Sequence, residues 1–466
     1  MGRNRNWPTI LGYSIAFTVF VVVAIIVLSY ATGYRLNFKT GQIEKTGVLA
    51  ITTKPSGASV LVSGKKYTRK TPLVIRNILP GDYVVEVNYE GYQKYLDTAT
   101  IKPGFATELQ ALDLVLEQPK ETKLAEDVAN AWQANNEVFY RNSEKLWYRV
   151  ASGAPIELTF ERIPAHLRDA LLRATNVNWM MKHENSSNWA INITVDGKKW
   201  LAVVDPNGYR GALFSAPLNQ ADEADITFVD SDRLVGLVNG TLYTLDLNSN
   251  KLVTYQKDVT GFSWYDNKGY FTSKSANGKP AVTVDNNLFD GSLGEALVWN
   301  MPTGQNLRVI ANTNDWWLLA TSTGNSQVLW LLTKDEEGIF SKQTRIAGDL
   351  DGYAYDKTKE RIHFITGNKL VEYDFKEMVE KDLRDFGNTN PQLLARRDNT
   401  LFIKTVGDIA AVSLSGSNVY NFASSKDVVL FDDSSRRVWV LRDNVITSLE
   451  LRAATSIFGG LVRIGG

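Results

Sequence analysis

Residues 226–247 read ITFVDSDRLVGLVNGTLYTLDL. The order is an apolar strand, a polar turn at Asp230-Ser231-Asp232, a second apolar strand, an Asn239-Gly240 turn and a third strand. Asn-Gly supplies the positive φ angles that a two-residue hairpin needs. Units of the same order recur from Val177, Phe262 (FSWYDNKGYFTS), Leu307 (LRVIANTNDWWLLATSTGNSQVLWLL), Tyr353 (YAYDKTKERIHFITGNKLVEYDF), Leu393 (LLARRDNTLFIKTVGDIAAVSLSG) and Val428 (VVLFDDSSRRVWVLRDNVITSLEL). Successive starts lie about 35–50 residues apart, the span of one four-stranded propeller blade. Seven units predict a β-propeller of about seven blades, with six or eight also compatible. Residues 137–150 (EVFYRNSEKLWYRV) either supply an eighth blade or pair with the last one to close the ring. Closure removes exposed edge strands. An array of two-sheet sandwiches would explain the strands, but less naturally the run of similar units.

The propeller-like domain is expected over 137–466, and its units carry neither the WD nor the kelch signature. Ahead of it, Gln118-Pro119-Lys120-Glu121 reads as a linker. Leu124, Val128 and Trp132, four residues apart, predict a short amphipathic helix. Residues 117–136 are therefore expected as linker and short helix. A second helix is predicted from Pro164 through Leu167, Leu171 and Leu172.

Residues 47–116 alternate short strands with turn chemistry. Val48–Thr53 and Ala58–Ser63 flank a turn at Lys54-Pro55-Ser56-Gly57, and Gly64-Lys65-Lys66 makes another. In Asp82–Glu90, Tyr83, Val85, Val87 and Tyr89 share one face, and Val84, Glu86, Asn88 and Glu90 the other. Gly91-Tyr92 turns into a strand through Ile101, and Pro103-Gly104 into one through Leu116. The segment resembles a PEGA domain, a small bacterial β-sandwich. The residues that carry the resemblance are Thr53-Lys54-Pro55-Ser56-Gly57-Ala58-Ser59-Val60, Thr71-Pro72-Leu73, Leu79-Pro80-Gly81-Asp82-Tyr83 and Glu90-Gly91-Tyr92. The resemblance implies an envelope spacer or adhesion module, without catalytic residues.

The apolar run from Ile10 to Ala31 is about 22 residues long and has no charged side chain. At 1.5 Å rise per residue it spans roughly 33 Å, enough for a bilayer core of about 30 Å. An uncleaved signal-anchor is the reading, because a cleavable signal has a shorter apolar region and a small-residue cleavage site. Tyr13, Tyr30 and Tyr34 suit the two interfaces. Arg3 and Arg5 precede the run and Arg35, Lys39 and Lys45 follow it, so local charge sets no orientation. A tail of nine residues, 1–9, is expected in the cytoplasm, residues 10–31 in the membrane, and 32–46 as a juxtamembrane segment leading to an extracytoplasmic body.

The remaining composition is that of a globular protein, 44% hydrophobic and 22% charged, with zero formal net charge. Nothing in that balance calls for nucleic acid as a partner. The absence of cysteine excludes disulfides, zinc thiolates and thiol nucleophiles. Asn185, Asn192 and Asn239 sit in N-x-S/T sequons. Asp285-Asn286-Asn287-Leu288-Phe289-Asp290-Gly291 has Phe289 where a calcium loop needs an oxygen ligand, so it reads as a hairpin turn. Asp246-Leu247-Asn248-Ser249-Asn250 and Asp349-Leu350-Asp351-Gly352 read as turns too. His166, His183 and His363 are dispersed without metal-ligand spacing, and His363 fits a packed strand residue better than a base. No G-x-S-x-G elbow and no phosphate loop occurs.

Trp316-Trp317 must point to opposite faces of a strand, so at most one is core and the other is exposed or lies between sheets; packing between blades is favoured. No catalytic, metal or cofactor residues are assigned. The expected function is non-catalytic binding of an envelope protein or glycan. A glycan or peptidoglycan hydrolase using propeller-mouth carboxylates and a surface-layer spacer are the alternatives. No sequence feature sets the oligomeric state.

Overall fold

The computed structural model describes residues 7–37, 41–134, 137–150, 154–183, 186–205, 210–274, 280–285, 288, 295–297, 305–323, 326–334, 336, 340–397, 399–414, 416, 418–431 and 436–452. The chain divides into two compact units. The first holds residues 1–119 with 413–418 and 451–466; the second holds 120–412 with 419–450.

The first unit begins with a helix, Trp7–Ala31, that is apolar all round. None of Leu11–Ala31 is buried against the rest of the described chain, and the stretch is long and apolar enough to cross a membrane. Tyr34–Asn37 and Gln42–Lys45 then form a two-stranded ribbon within the segment expected to be juxtamembrane.

The residues that resemble a PEGA domain form two sheets. In one, Gly47–Lys54 lies between Leu73–Ile78 and Ala106–Asp113, pairing antiparallel with the first and parallel with the second. In the other the order is Lys65–Lys66, Ser59–Val62, Gly81–Asn88, Tyr95–Ile101. Burial alternates along Gly47–Lys54, so Leu49 and Ile51 enter the core. They meet Val60, Val85 and Val87 of the facing sheet. This is the inward set that period-two alternation predicts. Burying these side chains contributes roughly 1.5–3 kcal/mol each. The turn at Pro55-Ser56-Gly57 is fastened by Thr71, whose carbonyl accepts from the Gly57 amide at 2.8 Å and whose hydroxyl accepts from the Ala58 amide at 2.9 Å.

Among the described residues, the second unit contains eight four-stranded sheets. Numbered in chain order, blades 1 to 7 span 128–157, 176–214, 226–257, 259–297, 305–347, 350–385 and 392–424, each with its four strands in sequence order. Blade 8 takes Val428–Phe431, Arg437–Arg442 and Val445–Glu450 from the C-terminal side, and its fourth strand is Lys120–Ala125. Lys120 pairs with Glu450 and Thr122 with Ser448.

Neighbouring blades pack through shared apolar clusters. Trp147 and Trp189 join blades 1 and 2; Leu201 and Leu234 join 2 and 3; Val235 and Phe271 join 3 and 4. Tyr270 and Leu319 join blades 4 and 5, and Leu318 and Phe364 join 5 and 6. The first strands of blades 6 and 7 lie against each other, Phe402 of blade 7 meets Phe431 of blade 8 with ring centroids 4.8 Å apart, and Val138 of blade 1 shares a cluster with Trp439 of blade 8. The packing returns to its start, and the ring is closed.

The seven units beginning at Val177, Ile226, Phe262, Leu307, Tyr353, Leu393 and Val428 each fall on one sheet, and residues 137–150 supply the middle strands of an eighth. The helix expected across Leu124, Val128 and Trp132 is absent: Lys120–Ala125 and Val128–Ala134 are strands of two different blades. The four-residue spacing was outweighed by backbone pairing, since the edge of Val445–Glu450 needs a partner and Lys120–Ala125 fills it. Lys120 and Glu121, expected in the linker, belong to that strand. The second predicted helix is present as Ala165–Arg173, with Pro164 at its N-cap and Leu167 and Leu171 buried.

Candidate binding site at the propeller hub

Middle strands are covered on both faces, as in Arg233–Val238 and Trp189–Val195, whereas the fourth strand of blade 6, Val379–Asp385, is largely exposed. First strands of neighbouring blades pack on one another: Val128–Ala134 on Asn176–Lys182, Val259–Tyr265 on Gln305–Asn312, and Leu350–Asp356 on Gln392–Arg397. They therefore form the hub. A cavity of about 660 Å³ opens there, lined from the first strands of blades 1, 6, 7 and 8. Its polar lining is Gln133, Tyr353, Tyr355, Arg396 and Arg397, with Phe431 at one wall.

Each of these side chains is positioned by its neighbours. Gln133 clamps blade 1 to blade 8: its Oε1 accepts from the Phe431 amide at 2.7 Å, and its Nε2 donates to the Phe431 carbonyl. Arg396 Nη2 donates to Asp356 Oδ2 at 2.5 Å. Asp356 is held in turn by the amides of Thr358 and Lys359, which donate to its Oδ1 at 3.0 and 3.2 Å. Arg397 Nη1 donates to the Arg396 carbonyl at 3.0 Å. Burial, then the nearby Tyr265, Glu360 and Asp356, pushes the Tyr355 phenol up to about 12. Burial also raises Tyr353, although Arg308 beside it pulls the other way. Both hydroxyls keep their protons at neutral pH and can donate.

The residues singled out from sequence lie elsewhere. His363 is 1% exposed in the second strand of blade 6, with Nε2 3.1 Å from Glu372 Oε2. Burial pushes the Glu372 carboxyl up, but His363 and Arg361 outweigh it and hold the group below the ordinary range. His166 is exposed on the short helix, and the His183 ring lies 5.6 Å from that of Phe228. Among the described residues no cluster of His, Asp and Glu could hold a metal ion. Asp285 accepts a hydrogen bond from the Tyr255 hydroxyl; residues 286, 287 and 289–291 of the loop once compared with a calcium site lie outside the described residues. Asp246 caps its own turn, accepting from the Ser249 amide at 2.9 Å. Asp349 and Gly352 both take positive φ, but Leu350 and Asp351 already belong to a strand.

Trp316 and Trp317 are each 7% exposed. Trp316 packs in the cluster between blades 5 and 6, stacked on Phe375 at 4.5 Å, and Trp317 in the one between blades 4 and 5. Neither lies at a mouth to stack on a ligand, and both faces of their strand are core. Asn192 is 1% exposed, donating to the Asn219 carbonyl at 2.9 Å and accepting from Asn178 at 2.7 Å, so its sequon is structural. Asn239 sits in its hairpin turn at φ 48°, and Asn185 lies outside the described residues.

Sequence reading missed the hub set. The signal was the pair Arg396-Arg397 in the otherwise apolar first strand of a repeat unit, with Tyr353 and Tyr355 at the same place in the unit before it. Their convergence depends on ring closure. A second cavity, about 360 Å³, lies between blades 2 and 3 beside Asp205, Arg210, Asp232 and Asn248.

Residues 46–118 match the family model described as the PEGA domain. No curated protein matches the chain. Among solved structures the chain is similar to the computationally designed Ika8 protein, at 12% identity and a TM-score of 0.46, over 70% of this chain and 98% of that one. It is also similar to the Dos1 propeller, at 11% identity and a TM-score of 0.44, over 72% of this chain and 95% of that one. A structure titled as the eukaryotic initiation factor matches at 12% identity and a TM-score of 0.46, over 70% of this chain and 86% of that one.

Proposed function

We propose that the chain is a non-catalytic binding component of a bacterial cell envelope. The N-terminal helix anchors it with residues 1–9 in the cytoplasm, the PEGA domain stands outside as a spacer, and the propeller binds an extracytoplasmic protein or glycan. The observation that carries this reading is the hub cavity, framed by the first strands of four blades and lined by two arginines, two tyrosines and a glutamine. Polar groups converging in a concave site are the usual form of a ligand pocket. A spacer alone has no use for such a cavity. A glycan hydrolase needs a pair of carboxylates flanking the bond it cuts, and no Asp or Glu is among the described residues lining this one.

The test is a glycan and protein array probed with the full chain in detergent micelles, beside Ala354→Trp, which fills the cavity. Saturable binding lost in the variant is the expected result. Binding that survives in the variant, or none to any feature, would overturn the hub as the site.

A further inference from the structure

Resting on the reading of the N-terminal helix as a membrane anchor, we infer that the ribbon after it is a lipid-docking surface, on which Tyr34, Leu36 and Ile43, with Phe105 beside them, seat the PEGA domain directly on the bilayer. Residues directly opposite each other in an antiparallel pair share a face. Tyr34 pairs with Lys45 and Leu36 with Ile43, so these four make one face of the ribbon; Arg35, Asn37, Gln42 and Glu44 make the other. The second face is turned to the sandwich. Burial first, then the charges of Tyr67 and Glu44, raise the Tyr83 phenol, which puts Glu44 near the strand Gly81–Asn88. The first face is uncovered: Tyr34, Leu36 and Lys45 are exposed, and Ile43 is 68% exposed. A two-stranded ribbon is marginal in water unless its apolar side is packed, and an exposed apolar patch marks a contact surface.

Position selects lipid as the cover. Only Thr32 and Gly33 separate the helix end at Ala31 from Tyr34. There is no slack between them. Thr46, buried at the start of the sandwich, donates to the Gly33 carbonyl from its amide at 2.9 Å and from its hydroxyl at 2.7 Å. Arg35 lies over the Tyr30 ring, 3.5 Å from its centroid, and its Nη1 donates to the Tyr30 and Tyr34 carbonyls at 2.8 Å. A cation at the helix C-terminus is favourable there. Each headgroup layer is roughly 5–7 Å deep, so a strand starting two residues after the helix is still within it. Tyrosine suits that layer, and a lysine such as Lys45 lays its stem on apolar surface with its ammonium in water. The Lys45 side chain runs against Gly104, where a Cβ would lie 3.1 Å from it, and the Gly104 amide donates to the Thr46 carbonyl at 3.0 Å. Phe105, 67% exposed, therefore stands next to the ribbon. Lipid already surrounds the helix two residues away, so no other partner is required.

The chain has no cysteine, so one introduced thiol takes an environment-sensitive dye at a chosen place. Ile26→Cys, Ile43→Cys, Phe105→Cys and Val253→Cys, all at exposed side chains, are made singly in the full chain. Each is reconstituted in vesicles of phosphatidylcholine and phosphatidylglycerol. The quenchers are a lipid with a nitroxide near its headgroup, one with the nitroxide deep in the acyl chain, and iodide on both sides of the membrane. The expected result is that the shallow nitroxide quenches the dyes at positions 43 and 105, and iodide quenches them several-fold less than the dye at 253. The dye at 26 should respond to the deep nitroxide. Iodide quenching at 43 or 105 equal to that at 253, with the dye at 26 still quenched from the bilayer, would overturn the inference and leave the anchor standing. A dye at 26 that the deep nitroxide leaves bright overturns the anchor and the inference with it. Protection from iodide without quenching by the shallow nitroxide, lost as the protein is diluted in lipid, would assign the face to a second copy of the chain and overturn the lipid assignment.

Discussion

Gly352 shows how one residue sets the spacing of two blades. It stands in the first strand of blade 6 at φ 107°, and a Cβ there would lie 2.3 Å from the Leu393 carbonyl oxygen in the first strand of blade 7. Both the conformation and the backbone contact demand glycine. Gly352→Ala should therefore lower unfolding stability by about 2–4 kcal/mol, read from the urea midpoint. The motif Asp349-Leu350-Asp351-Gly352 was visible in the sequence as a turn, but the reason for its glycine was not, because Leu393 is 41 residues away. Asp374 carries a second prediction. Burial raises its carboxyl, but the Glu377 and Lys376 amides and Arg361 outweigh that and bring it below its ordinary value. A carboxyl lowered in the folded state adds stability above about pH 4, which is lost as pH falls through the folded value. Asp374→Asn should cost about 1 kcal/mol at pH 7 and flatten the acid limb of a stability–pH curve; an unchanged limb would rule out this carboxylate as a contributor.

At the scale of elements, ring closure is the decisive event. Lys120–Ala125 completes blade 8 across more than 300 residues of chain. Thr122 and Ser448 stand opposite each other, and the chain has no cysteine of its own. Thr122→Cys with Ser448→Cys should form a disulfide on oxidation, detected by loss of free thiol. It should raise the melting temperature, with stabilisation of up to about 5 kcal/mol for so long a loop. Two thiols that stay free under oxidant would mean that the strand is not paired there. The sequence could not show this closure. A polar six-residue strand has no pattern of its own, and its leucine and alanine fit a helix as well as a sheet edge. The internal strands were legible for the opposite reason: chains covered on both faces, such as Arg233–Val238, read as unbroken apolar runs between Asn, Asp and Gly turns.

For the whole molecule, the apolar helix decides where the rest can work. With none of Leu11–Ala31 buried by the described chain, the stretch leaves its apolar surface uncovered, as a membrane anchor or a signal sequence would. Expressed in bacteria, the full chain should sediment with membranes, resist carbonate extraction and dissolve in detergent. Recovery in the soluble fraction at neutral pH would rule out the anchor. Protease added to spheroplasts should digest the PEGA domain and propeller if the N-terminus faces the cytoplasm; full protection would reverse the orientation.

Composition and periodicity were enough to determine the β-rich body, the apolar helix and the repetition of blades, and motif resemblance added the PEGA domain, because each rests on neighbours within a few tens of residues. The partner of strand Lys120–Ala125, the burial of both Trp316 and Trp317, and the meeting of Tyr353, Tyr355, Arg396 and Arg397 around one cavity were decided by tertiary structure alone. Those depend on closing a ring, and a ring brings distant residues together by geometry that no local pattern encodes.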